Sequence, residues 1–339
     1  LRPQFDRDFI PGTTKMADPA PVSAAFAARN AAGHTPVHVA ARNGELRSLP
    51  PEALTARYLT LKNDAGYTPL HHAAIGGHLD QVPAEVLTPA NLLIRSNAGY
   101  NVFHTAAAYG TLWQIPAGLL TREILLNSND MGNTLLHEAA EHGTLDRIPE
   151  GFLTAETMAL RNVTGETVLH VAAFNGHLDQ VPGALLTAEA LRRTTSAGDT
   201  VFHSAAISGH LEQVPAALLV FENLSIPSKT GFTAIHAAAE TGQLRKIPPD
   251  TLTGELLMTR NDNGDTPLHA AAFEGHLDQV PAALLTRERV AARNYDGITV
   301  AALAAERGFT SQIPAEARPR TYGPVSRLIR RLSRTRSPF

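Results

Sequence analysis

The sequence predicts an all-α solenoid made of one helical unit repeated nine times, and three observations carry that expectation. First, eight histidines (His38, His71, His104, His137, His170, His203, His236 and His269) stand 33 residues apart. Second, nine glycines from Gly33 to Gly297 and nine prolines from Pro50 to Pro314 keep the same interval without an insertion. Third, apolar residues within each interval recur at i, i+3 and i+4, the spacing of one helix face. A fixed period of this length marks a stacked repeat and outweighs the two or three globular domains that 339 residues would otherwise suggest. A 33-residue unit cannot bury its own core, so neighbouring units must share one.

Residues 261–293 show what one unit is built to do. Asn261 to Asp265 is polar around Gly264, which is turn chemistry, and the small polar residue that opens each unit suits an Asx-turn. Thr266 is a good N-cap, and Pro267 at the first helical position loses no hydrogen bond. Leu268, Ala271 and Ala272 share a helix face, while Ala270 leaves the other side small enough for close approach of a neighbour. Gly275 is placed to end the helix in a left-handed cap. His276 to Val280 opens a second helical element, which Pro281 interrupts or restarts as a first-turn proline. Leu284 and Leu285 are apolar, Thr286 with Glu288 reads as a further N-cap with an acid in the first turn, and Val290 completes the apolar set.

The run Gly-x-Thr-Pro-Leu-His-x-Ala-Ala-x-x-Gly-His-Leu, complete from Gly264 to Leu277, resembles the ankyrin repeat in period and motif together, over residues 30–317. The resemblance implies helix–turn–helix pairs stacked into a curved solenoid, most often a protein-binding scaffold. It also implies that each periodic His bonds within its own Thr-Pro-Leu-His turn and to the next repeat. The chain departs from the family at one place. Every repeat carries Pro within the second helix, and segments such as Thr121 to Leu125 and Thr187 to Leu191 stand where the family has a Gly-Ala-Asp hairpin. We therefore expect the second helix to be broken into two short pieces, with little or no β-hairpin.

The ends divide the chain. Residues 1–21 are aperiodic and rich in Pro, Asp, Arg and Gly, and read as a flexible leader; Met16 stands as a candidate start within it. Residues 22–29 echo the end of a repeat and read as a half-repeat cap. The array at 30–317 closes on an atypical ninth unit, where Ala302 replaces the motif His and Thr310 the outer Leu. Residues 318–339 form an Arg-rich tail. Its Val325, Leu328, Ile329 and Leu332 make an apolar stripe, and Arg327, Arg330, Arg331 and Arg334 take the remaining positions, which predicts a short basic amphipathic helix. This tail holds seven Arg and no acid, so a net charge of −3 for the whole chain leaves −10 on residues 1–317.

Composition removes several chemistries. With no Cys there are no disulfides, thiolate metal sites or cysteine nucleophiles. The motif histidines are one solenoid step apart, on the order of 10 Å, too far to share a metal. We expect no metal and no cofactor. The second set, His78, His177, His210 and His276, reads as local capping. Glu138, Glu141 and Glu166 read as a solvated acidic face, and Trp113 as outer packing. Neither a nucleophile elbow nor a phosphate-cradling loop is present, so no catalytic residue and no small-molecule substrate are expected.

The resemblance places partner-facing side chains just after the turn Gly and between Ala-Ala and the next Gly. Those positions hold Tyr67, Ile75, Tyr100, Tyr109, Phe174, Ile207, Phe232 and Phe273, mixed with Glu141, Glu166, Asp199, Glu240, Asp265 and Glu274. Tyr buries much area with few rotors, and acids favour a basic or mixed partner and disfavour nucleic acid. The expected function is a protein–protein interaction scaffold acting through a concave aromatic–acidic face. The alternative is an adaptor held on an anionic membrane or a larger complex by the Arg-rich helix. The expected location is cytoplasmic, or that of a secreted effector acting in another cytoplasm; no signal peptide or membrane span is read in the sequence.

Overall fold

The computed structural model describes residues 25–149 and 151–320. Its main helices recur at the sequence period: α1 (Pro36–Asn43), α2 (Pro69–Gly76), α3 (Val102–Ala108), α4 (Leu135–His142), α5 (Val168–Asn175), α6 (Val201–Ser208), α7 (Ala234–Glu240), α8 (Pro267–Glu274) and α9 (Val300–Glu306). Each packs against the next in order, so the fold is a helical solenoid. The leader, residues 22–24 of the half-repeat and the predicted basic helix at 324–334 lie outside the described residues. No described helix is long and apolar enough to cross a membrane.

Local chemistry fixes where each helix starts and stops. Thr35, Thr68, Thr134, Thr167, Thr200, Thr233 and Thr266 form capping boxes in which the His at the third helical position answers the cap. At the other end Gly275 adopts φ 86°, which a side chain would strain. Room is also lacking there, because a Cβ on Gly275 would lie 2.6 Å from the Phe309 ring. Between the ends, the Ala pairs (Ala73 and Ala74, Ala172 and Ala173, Ala271 and Ala272) are buried against Leu70, Leu169 and Leu268 in one continuous core. Small residues here let successive helices approach closely.

The second half of each unit breaks at the proline, as the sequence leads one to expect, but into smaller pieces. Leu277–Gln279 is one 3-10 turn, Ala282–Leu284 another, and Arg287–Val290 a short α-helix capped by Thr286. Pro281 does not occupy a first-turn position. It precedes the second turn in extended geometry, φ −51° and ψ 131°, and holds Val280 extended before it. Only isolated bridges such as Ser128 to Thr134 and Arg161 to Thr167 remain of a hairpin among the described residues. Asx-turns shape the opening turns: the Asn162 carboxamide oxygen accepts from the Thr164 and Glu166 amides.

Three sets of polar bonds tie unit to unit. The His170 ring accepts at Nδ1 from the Thr167 amide at 3.1 Å and donates from Nε2 to the Asp199 carbonyl of the next turn at 3.1 Å. His38, His71, His104, His137, His203, His236 and His269 repeat this reach, to the carbonyls of Tyr67, Tyr100, Asn133, Glu166, Phe232, Asp265 and Ile298. Adjacent turns share backbone bonds, as from Val163 to Met131. A glutamine completes the set. Gln180 accepts from the Leu145 amide and donates to the Gly143 carbonyl, satisfying both exposed ends of the preceding chain reversal. At the start, Phe26 packs edge-on to Tyr58 at 5.8 Å, covering the first core face.

Candidate functional site: the helix-and-turn face

The residue after each turn Gly has two duties. Its carbonyl receives the preceding His, so its backbone belongs to the frame. Its side chain is left to vary. Tyr67 and Tyr100 lean edge-on over His71 and His104, with ring centroids 5.3 and 6.1 Å apart, and Phe232 lies over His236 at 5.4 Å. All three are half-buried, as are Tyr109, Ile75, Ile207, Glu141, Glu240 and Glu274. Phe174 is exposed. Burial raises the phenols of Tyr67, Tyr100 and Tyr109 above their ordinary value; Tyr109 and Glu138 act in the same direction on Tyr67, Glu138 and Glu141 on Tyr100, and Arg42 acts against burial on Tyr109. These residues of successive units therefore form one electrostatic neighbourhood.

Further along, side chains predicted to face a partner are engaged within the chain. Asp265 is buried and accepts from the Asn294 amide group at 2.8 Å. At Asp199 it is the backbone carbonyl, not the side chain, that is engaged, by His170. Phe273 lies under the Arg307 guanidinium at 4.3 Å. The Glu166 carboxylate accepts from Asn162 and Thr164.

The position after the motif His separates the units most sharply. It holds Ala237 and Ala270 late in the array but His72, Thr105 and Glu138 on α2, α3 and α4. Glu138 is not part of a solvated face: it is 1% exposed. One carboxyl oxygen accepts from Asn129 and Asn133 at 3.0 and 3.2 Å, and Tyr100 also bonds to this carboxyl group. Burial first, and Glu141 second, push its pKa up to about 8. Asn133 in turn accepts from Asn162, so the network runs on to Glu166. Glu138, Glu141 and His142 bring possible ligand atoms within 4.8 Å of one another, all from one helix. His72 has the opposite surroundings. Burial, then His38 and His34, lower its pKa to about 2, and its ring stands 4.9 Å from that of His34 and 5.2 Å from that of His38.

Two further expectations are corrected. Trp113 is not packed: it is 69% exposed, at a place where Asp80 and Asp146 stand in the neighbouring units. His78, His177, His210 and His276 make no side-chain cap. Their rings instead cover the helix-ending glycine of the preceding unit, and a Cβ on Gly176 would lie 2.8 Å from His210. Sequence reasoning also missed Met131 and Val163, 56% and 62% exposed, at adjacent turn tips joined by a backbone bond. The signal was available: these tip positions hold Ala98 and Asp130 one unit earlier. The arginines of the predicted tail contact, Arg327 to Arg334, lie outside the described residues.

A family model for the ankyrin repeat matches residues 263–295. No curated protein matches the chain.

Proposed function

We propose that this chain, an ankyrin-repeat protein, is a scaffold that binds another protein on the helix-and-turn face of a nine-unit array, centred on residues 96–175, and that it carries no chemistry of its own. The observation that carries the reading is that Met131 and Val163, on turns joined by a backbone bond, and Phe174 are exposed in the same units that hold half-buried Tyr100, Tyr109 and Glu141. Apolar side chains exposed in series at turn tips are unusual on a monomer surface and mark interaction sites. Aromatic residues of the same units supply anchors, and the acids select a basic or mixed partner. Tyr67, Ile75 and Glu166 extend the surface toward its edges, and Ile207, Asp199, Phe232 and Glu240 continue it. The test is capture of partners by the native chain and by a Met131→Asp, Val163→Asp variant. Both substitutions lie at exposed tips and leave the core untouched, so circular dichroism should be unchanged. Loss of a captured protein with the variant supports the face. Equal capture by both moves recognition elsewhere.

A further inference from the structure

We propose that the edge formed by three successive 3-10 turns, Leu112–Gln114, Leu145–Arg147 and Leu178–Gln180, binds an extended basic segment of another protein, with one arginine set on each of Trp113, Asp146 and Asp179. This surface is built from other residues than the helix-and-turn face and does not rest on it.

The first argument is how the chain itself fills this edge. The middle residue of the turn recurs every 33 residues, from Arg47 to Ser311. Where an arginine holds that place it reaches the acid one unit on: Arg47 meets Asp80 at 3.2 Å, and Arg245 meets Asp278 at 3.0 Å. Adjacent places on the edge are therefore one arginine side chain apart. Lys246, which donates to the Gly209 carbonyl, also pairs with Glu212. Rings elsewhere take arginine too, as Arg307 lies over Phe273 at 4.3 Å.

The second argument is that the stretch from Trp113 to Asp179 lacks such a cation. Asp146 and Asp179 are exposed, and among the described residues no ion pair includes either. Arg147 stands where Lys246 stands three units later, and it donates to the Gly110 carbonyl at 3.5 Å. The place of Glu212 is there held by Trp113, and among the described residues no cation lies over that ring. His177, on which Asp179 acts, supplies none, because burial holds its pKa below the ordinary value. An indole is the best ring for a guanidinium to lie on, and a carboxylate accepts two bonds from one.

The third argument is spacing. Stacked units advance on the order of 10 Å. Three residues of extended or polyproline II chain advance about 9–10 Å, and polyproline II returns every third side chain to one side. A helical partner does not match, because its same-face residues, three or four apart, advance only about 5–6 Å. The occupant is thus an extended segment with arginine at every third position.

The probe is the peptide Arg-Pro-Pro-Arg-Pro-Pro-Arg, labelled for anisotropy and titrated with the full chain at low salt. A control peptide has the same composition with its three arginines adjacent. The spaced peptide should bind at least about threefold more tightly than the control. Unlabelled, it should protect the single tryptophan from iodide. Trp113→Ala should weaken binding about tenfold, and Asp146→Asn or Asp179→Asn about threefold each. All three side chains are exposed, so the variants keep the fold. Asp262→Asn removes the same charge at an exposed turn tip and should leave binding unchanged. The proposal is overturned by a native chain that does not bind the spaced peptide, or by a control that binds equally well. It is equally overturned if Asp262→Asn weakens binding as much as Asp146→Asn does, which would reduce the attraction to net charge. None of these results touches the scaffold reading, which stands or falls on capture through Met131 and Val163.

Discussion

The units at residues 129–161 and 261–293 share a frame and differ in what the frame carries. In both, a Thr caps the main helix, a His answers it and reaches the next turn, and a left-handed Gly ends it. One residue past the His, the later unit places Ala270 and the earlier one a buried carboxyl group, Glu138. On the later helix Phe273 is covered by Arg307, while in the earlier unit Met131 at the turn tip is 56% exposed. The comparison teaches that positions whose backbone is already used by the frame are free to change side chain. Recognition can then be concentrated in a few units without disturbing the stack.

The largest expected effect tests the shared frame. Burial lowers the pKa of His38, His71, His104, His137, His170 and His236 from 6.5 to about 4. The folded pKa lies below the unfolded one, so the unfolded chain binds more protons between these values. Stability is full above pH 6.5 and is lost as pH falls toward 4. At the limit each His contributes about 3 kcal/mol to that loss. Urea midpoints should fall steeply from pH 7 to pH 5, in one cooperative transition. Midpoints that hold level over that range would break the claim that one neutral His ladder supports every unit.

Glu138 should show the opposite sign, which separates the two units directly. Its folded pKa, about 8, lies above the ordinary 4.5, so the folded chain binds the extra proton. That contribution is complete below pH 4.5 and is lost as pH rises through 8, by about 2 kcal/mol between pH 6.5 and 8. Glu138→Gln keeps the shape and an acceptor for Asn129 and Asn133 while removing the titration. Native protein should therefore lose stability from pH 6.5 to 8.5, and the Gln variant should stay level. Ala270→Gln in the later unit should leave the alkaline limb as in the native chain.

The period, the caps, the glycine and the proline break were legible because each depends on chemistry within a few residues of itself. Thr266, His269 and Gly275 can be placed from sequence for that reason. What was missed depends on the adjacent unit. Glu138 is an ordinary acid by sequence, and it takes Tyr100 of the preceding unit, together with Asn129 and Asn133 of its own turn, to make it a buried, bonded one. His177 resembles a cap until the glycine it covers, one unit back, is known. Trp113 looks like packing because Trp is large and apolar, yet its position in the unit points outward. The turn-tip residues Met131 and Val163 carried a sequence signal of their own, a large apolar residue in a small or polar series.

A smaller effect measures the coupling between units. Gln180→Ala removes the partner of the Leu145 amide and of the Gly143 carbonyl. Leaving two chain-reversal groups without partners should cost about 1–2 kcal/mol. The same change one unit on, Gln213→Ala, loses the corresponding bonds to Leu178 and Gly176 and should cost a similar amount. A Gln180 effect much larger than the Gln213 effect would mean that the units near Glu138 depend on one another more than the rest of the array does.

The smallest effect on stability comes from Trp113, and it reports on recognition. Trp113→Asp restores the acid found in neighbouring units and should change stability by less than about 0.5 kcal/mol, because the side chain is exposed. As the only tryptophan, Trp113 gives a single emission signal. Its emission should lie at long wavelength and be quenched readily by iodide. On the helix-and-turn reading, a captured partner leaves that quenching unchanged. A blue shift with protection from iodide would place the partner on the 3-10 edge carried by Leu112–Gln114. The unit at 96–128 would then belong to the recognition surface by a side chain that the frame leaves wholly free.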